Sequence, residues 1–299
     1  PEDPAAVALL DALFGNSPYL TETAIQNPSF MTDLWRRSPD AVSADLAAEL
    51  EATRTAARDS ASPATVATSL RRLKRRVSLA VAVADIAGHW PLDRVTGELS
   101  TFASGCLSAL SDSILLQLAR DGQLAIGNDP QAAAFTVLGM GKLGAGELNY
   151  SSDIDLILLY DRDASALAGN EQLSRHFVRA ARMLVQLMSE MSADGYIFRT
   201  DLRLRPDPGS TPLAMSVQAA ELYYESVGQN WERAAMIKAH PVAGNHGVGE
   251  DFLTSLRPYI WRRHLDFAAI HDIHSIKRQI DAHRGGGAVK VLGHNIKLG

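Results

Sequence analysis

Cysteine is almost missing from this chain: Cys106 stands alone, so no internal disulfide can form and packing must hold the fold. A single thiol fits a reducing compartment. The surrounding FASGCLSALSDSILLQLA has a helical pattern in which Cys106 reads as buried and inert. Charge of one sign is not in excess either. A net charge of −5 and a pI near 6.0 exclude attachment to nucleic acid or to an anionic membrane by overall charge. No apolar run approaches the ~20 residues that span a bilayer. The opening PEDPAAVALLDALFG has neither a basic n-region nor the apolar core of a secretory signal. The expectation is a cytoplasmic chain with no membrane and no nucleic acid as partner. It begins at proline, without an initiator Met, and so reads as a fragment. Aromatic residues make up only 6%, but 46% apolar and 21% charged residues in 299 suffice for one large core or two smaller ones.

What is present divides by period. Residues 1 to about 127 read as helices. Val42, Leu46 and Leu50 fall four apart, Leu70, Leu73, Val77 and Ala80 form one stripe, and Leu107, Leu110, Ile114 and Leu118 form another. Pro63 and Pro91 punctuate the region. The basic run Arg71, Arg72, Lys74, Arg75 and Arg76 reads as a solvated face beside an apolar stripe, with a partner patch as the alternative. After Pro130 three strand-length segments follow, AAFTVLGM, DIDLILLY and YIFRTDLRLRP. Between the last two, Phe177, Ala181, Leu184, Met188 and Met191 mark a helical face closed by Gly195. Helix resumes from Ala219, and again from Glu250 to about His283. His271 and His274, three apart, read as a solvent-facing pair, and the glycines at 285–287 as a hinge.

The centre of interest is VLGMGKLGAGELNYSSDIDLILLY, Val137 to Tyr160. Its GMGKLG matches a dinucleotide-binding G-x-G-x-x-G, with Asp161 about twenty residues on. That reading needs a crossover helix, and AGELNYSSD leaves no room for one. A plain glycine turn would leave the next residues unexplained. On a strand Asp153 and Asp155 share a face, while Ile154, Leu156 and Leu158 share the other. Two like charges at the mouth of a strand built for burial are costly unless a cation lies between them. A hard divalent ion, Mg²⁺ or Mn²⁺, suits such oxygens and bridges to phosphate. In the third strand, alternation places Arg199, Asp201, Arg203 and Arg205 together. Asp201 then reads as a third metal carboxylate among phosphate-holding guanidiniums, with a surface salt-bridge ladder as the alternative. Gly141, Lys142, Ser151 and Ser152 complete a phosphate loop, and the whole reads as a nucleotidyl-transfer site.

LGMGKLGAGELNYSSDIDLI, FRTDLRLRPDPGSTPLAMS and NWERAAMIKA resemble the bacterial glutamine-synthetase adenylyltransferase and adenylyl-removing enzymes. LFGNSPYLTETAIQNP near the start and LRPYIWRRHLDF and HNIKLG near the end extend the likeness to essentially the whole chain. The wording MGKLG, SSDIDLI, NWER and IKA looks like the amino-terminal, adenylyl-removing half. The resemblance implies an α+β fold with a nucleotidyltransferase-like mixed sheet at 101–245, helical regions at 1–100 and 246–299, and a truncated end. It implies Asp153, Asp155 and Asp201 as metal ligands and Gly141, Lys142, Ser151 and Ser152 in the phosphate loop. The reaction it implies is phosphorolysis, in which inorganic phosphate takes AMP from a tyrosine of glutamine synthetase and leaves as ADP. Arg203, Arg205 and Lys238 are expected to position phosphate, and Trp231, Glu232 and Arg233 to line the site. A PII signalling protein is a further expected partner. The rivals are adenylylation from ATP, a non-catalytic module binding nucleotide or PII, and a dinucleotide oxidoreductase.

Overall fold

The computed structural model describes residues 4–59, 61–164, 167, 172–261 and 278. His271, His274 and the glycines at 285–287 lie outside them. The chain opens with six helices, α1 (Pro4–Asn16), α2 (Pro18–Gln26), α3 (Pro28–Arg36), α4 (Pro39–Asp59), α5 (Pro63–Ile86) and α6 (Leu92–Arg120). Proline stands in the first turn of α2, α3 and α5, where the missing N–H had no helical partner to lose. Ser17 and Ser62 cap α2 and α5 by accepting the amides of Leu20 and Thr65. The expected stripes of α4 and α5 are buried.

One expectation is corrected in α6. This helix is long and apolar enough to cross a bilayer, and 78% of its most apolar window is buried inside the protein. It is the central core helix, packed against α4, α5, α8 (Leu173–Ser189) and strand β5 (His240–Gly244). The reading of Cys106 is borne out. The thiol is buried on α6, and burial pushes it far above the usual thiol range. The basic run is no uniform solvated face, since Arg71 is buried and three of its members form ion pairs.

The sheet runs β3-β2-β1-β5, with β1 (Phe135–Gly139), β2 (Ile154–Tyr160) and β3 (Thr200–Asp201), while β4 (Ala214–Ser216) also pairs β2. β1 is antiparallel to β2 and to β5, and β2 is parallel to both β3 and β4. An antiparallel β1–β2 pair excludes the dinucleotide-binding unit, whose strands are parallel. Both faces of β2 are covered. Ile154, Leu156 and Leu158 join the core shared with the helical region, and Ile157 and Leu159 join a second cluster with Tyr224, Met236 and Phe252. Asp155 is the one residue of β2 that is not buried.

Three segments depart from expectation. The alternation expected over 196–205 breaks down because Ile197 and Phe198 are both buried and the strand stops at Asp201. Helix α8 ends at Ser189, short of Gly195, and Met191 is 69% exposed. The helix from Ala219 is two helices, α9 (Val217–Ser226) and α10 (Asn230–Met236), broken at Gly228, where a Cβ would lie 2.6 Å from the Tyr224 carbonyl. After β5 come α11 (His246–Ser255) and α12 (Arg257–Ile260). The expected boundary at residue 100 falls inside α6, and the one at 245 falls on Asn245, the N-cap of α11.

Candidate nucleotidyl-transfer site

The glycine stretch folds as one helical turn, α7 (Gly141–Gly144), between β1 and β2. Each glycine has a separate reason. Gly139 packs against Val242 and Leu143; Gly141 takes a left-handed φ of 53°; Gly144 lies under the carbonyls of Lys238 and Gly139, where a Cβ would come within 2.0 and 2.3 Å. The turn is tied down from two sides. Met140 donates its amide to the Asp155 carbonyl (2.9 Å), and the buried amide of Leu148 donates to Ser100 Oγ on α6 (3.0 Å).

Asp155 and Asp201 are register partners on the parallel strands β2 and β3. Asp155 Oδ2 also lies 3.5 Å from the position a Cβ would take on Gly141, so its carboxylate faces the glycine turn. Asp153 immediately precedes β2. It accepts from Arg199 Nε, and Arg199 Nη2 donates to the Ser151 carbonyl (2.9 Å). Arg203 closes on Asp201 through its own amide (2.8 Å) and its guanidinium. The hydrogen bond to Asp201, then the charges of Asp201, Asp155 and Asp153, hold the Arg203 guanidinium above its ordinary value. Arg199 is raised likewise by Asp153. Of the three expected carboxylates Arg203 touches Asp201 alone, and its side chain is 85% exposed.

Other expected residues are placed differently. Ser151 is exposed, and Ser152 Oγ bonds to Asn149 within its own turn. Lys142 lies half-buried on α7. Lys238 pairs with Glu147 at 2.6 Å, while its carbonyl covers Gly144. Arg205, expected beside Asp201 on a strand face, lies past the strand end and braces its loop by donating to the carbonyls of Leu202 (2.9 Å) and Pro208 (2.7 Å). Glu232 is buried, accepting from the Gln229 amide and the Tyr223 hydroxyl, so it closes a capping box. Trp231 Nε1 donates to Gln229, and Arg233 and Met236 are buried. Arg199, expected among the phosphate-holding guanidiniums, lies just before β3 and holds Asp153 and the Ser151 carbonyl instead.

The donor set suits a hard divalent cation, being carboxylate oxygen throughout. Arg203 already holds Asp201, one of these acids. As the side chains stand, among the described residues no three His, Cys, Asp or Glu are gathered closely enough to grip an ion. Arg199 and Arg203 hold two of the acids instead, Asp153 and Asp201.

A mixed sheet of this order, flanked by helices and bringing acids of neighbouring strands beside a glycine turn, defines a nucleotidyltransferase-like α+β protein. Residues 7–255 match the family model described as glutamate-ammonia ligase adenylyltransferase. The chain belongs to that family. It is 49% identical over 298 residues to the bifunctional glutamine synthetase adenylyltransferase/adenylyl-removing enzyme of Rhizobium meliloti, covering 97% of this chain and 30% of the relative. With the protein of the same name from Agrobacterium fabrum the identity is 46%, over 99% of this chain and 32% of that protein. The chain thus spans about a third of the length of the curated relatives it matches.

Proposed function

We propose that this chain carries a metal-dependent nucleotidyl-transfer site that removes AMP from the adenylylated tyrosine of glutamine synthetase by phosphorolysis. The observation that carries the reading is the register pairing of Asp155 with Asp201 beside the Gly141 turn. The relatives' names supply both the protein substrate and the pair of opposed reactions. The likeness of MGKLG, SSDIDLI, NWER and IKA to the adenylyl-removing half favours the removing direction. Nucleotide and inorganic phosphate are the small reactants, a PII signalling protein is a further partner, and the cytoplasm is the compartment.

Asp153, Asp155 and Asp201 would hold Mg²⁺ or Mn²⁺, which when bound supplies positive charge to neutralise phosphoryl oxygens. Arg203, released from Asp201, binds a phosphate oxygen, and Arg199 keeps Ser151 and Asp153 in place. A phosphate oxygen attacks the AMP phosphorus, the bond to the tyrosine oxygen breaks, that oxygen takes a proton, and ADP leaves. Phosphate needs little help from a general base, so positioning dominates.

The test is incubation of the protein with adenylylated glutamine synthetase and phosphate, followed by assay of ADP. Formation of AMP-tyrosine from ATP and unmodified substrate, without ADP release in the first assay, would assign the opposite reaction. Absence of both products would leave a non-catalytic binding module, and ADP release that survives Asp153→Asn would take the catalysis away from the three aspartates.

A further inference from the structure

The basic run of α5 divides into two sets. Arg71 pairs with Glu190 (3.5 Å), Arg72 with Asp194 (3.1 Å) and Arg76 with Glu49. Lys74 and Arg75 differ, because among the described residues their contacts are with neutral groups. Lys74 Nζ donates to the Ile197 carbonyl and lies 4.5 and 4.4 Å from the ring centres of Tyr196 and Phe198. Arg75 donates to Gln26 Oε1 (3.0 Å) and to the Ala193 carbonyl (2.8 Å).

Both cations line one cleft of about 650 Å³, walled by α2, α5, the end of the glycine stretch at Tyr150 and Ser151, and residues 191–196. The carboxylates of the cleft are already engaged: Asp85 by the Tyr150 hydroxyl (2.9 Å), Glu22 by Gln26 (2.8 Å) and Asp194 by Arg72. Of these acids Asp194 alone meets a cation, and Lys74 and Arg75 are the cations of the lining, each held by neutral groups among the described residues. A cleft of this size falls within the ~300–1,000 Å³ of small-molecule sites, which combine apolar walls with a few convergent polar groups. Leu20, Ala82 and Met191 supply the apolar wall, and Tyr19 and Ser78 the hydroxyls.

We propose that this cleft is an anion site for a small molecule of metabolite size, its carboxylate or phosphate group seated between Lys74 and Arg75 and its body against Tyr19 and Met191. Two charged donors lining one cleft can each give such a group a charge-assisted hydrogen bond. Burial without a counter-charge lowers Lys74 to about 8, and a bound anion reverses that shift. The cleft is distinct from the three-aspartate site but borders it through Ser151, whose carbonyl Arg199 holds. An occupant therefore reaches the segment that positions Asp153.

The experiment is calorimetric titration of the full-length protein in EDTA, with inorganic phosphate in one arm and succinate in the other. Saturable binding of at least one is expected, and the arm that responds names the anionic group. Lys74→Gln and Arg75→Gln, each shown to melt as the parent does, are each expected to weaken binding at least about tenfold. Asp153→Asn is expected to leave it unchanged. The proposal falls if neither anion saturates, if binding survives both substitutions, or if Asp153→Asn removes it, since the anion then belongs to the aspartate site. Should Lys74→Gln fail to fold, the more peripheral Arg75→Gln decides alone. EDTA separates this outcome from any failure of the proposed phosphorolysis, which requires metal.

Discussion

Asp155 and Asp201 are register partners across the parallel pair of β2 and β3. Neighbouring strands lie about 5 Å apart, and register partners present their side chains to the same face. Two acids so placed, with Asp153 next to the same edge, repel one another, and Arg199 and Arg203 relieve that repulsion. Asp155→Asn and Asp201→Asn should each lower ADP release by roughly a hundredfold or more, since each removes a charge proposed to hold the metal. Their melting temperatures should equal or exceed that of the parent. A fall in both rate and melting temperature would mark these acids as structural.

Gly144 should tolerate no side chain. A Cβ there would meet the Lys238 and Gly139 carbonyls at 2.0 and 2.3 Å, and both are backbone atoms with little freedom to shift. Gly144→Ala should destabilise by about 1–3 kcal/mol in urea unfolding. Gly146→Ala, in open space at a φ of 71°, should cost only about 1 kcal/mol. Equal losses at the two sites would refute steric closure as the reason for Gly144.

The helical stripes were legible in the sequence because one-sided burial leaves a period that can be read directly, as Val42, Leu46 and Leu50 show. The acid pair was legible for the opposite reason: charge at the mouth of the two-sidedly apolar β2 has no packing role. The run 196–205 misled because its alternating charges continue for four residues after the chain has left the sheet. Arg203 then serves Asp201 through a turn, and Arg205 serves a loop, which are contacts that strand periodicity cannot encode. β4 and β5 went unread. One has only three residues, and the other carries Pro241 within HPVAG, a residue that argues against a strand unless it lies at an edge.

Asp112 is 1% exposed on α6, and Arg58 reaches it from α4 at 2.8 Å. Burial raises the Asp112 carboxyl above its ordinary value, and Arg58 opposes the rise. Arg58→Ala should destabilise at neutral pH by about 1–3 kcal/mol, the cost of a buried charged group left without its partner. A carboxyl whose folded value is raised takes up its proton more readily in the native state. Its contribution therefore improves as pH falls through the folded value, and the loss from Arg58→Ala should shrink in acid. Urea titrations at pH 7 and near pH 4 test this; a loss that is unchanged or larger in acid would contradict it.

Lys74 should titrate near pH 8. Its folded value is lowered from 10.5 by burial, so the native state is penalised in full below about 8 and relieved as pH rises from there towards 10.5. Reductive ¹³C-methylation and NMR should show one lysine resonance moving near pH 8, absent in Lys74→Gln. A spectrum in which every lysine titrates above pH 10 would show that the amine is well hydrated.

The chain between β3 and β4 leaves strand β2 at Asp201 and returns to it at Ala214. Both feet of this span stand on the same strand, and Arg205 cross-ties its interior to Leu202 and Pro208. A segment pinned at both ends to one rail can change in length or composition at its crest without shifting the register of either foot. Divergence in what is admitted near Arg203 therefore has a place to accumulate that leaves the acidic residues where they are.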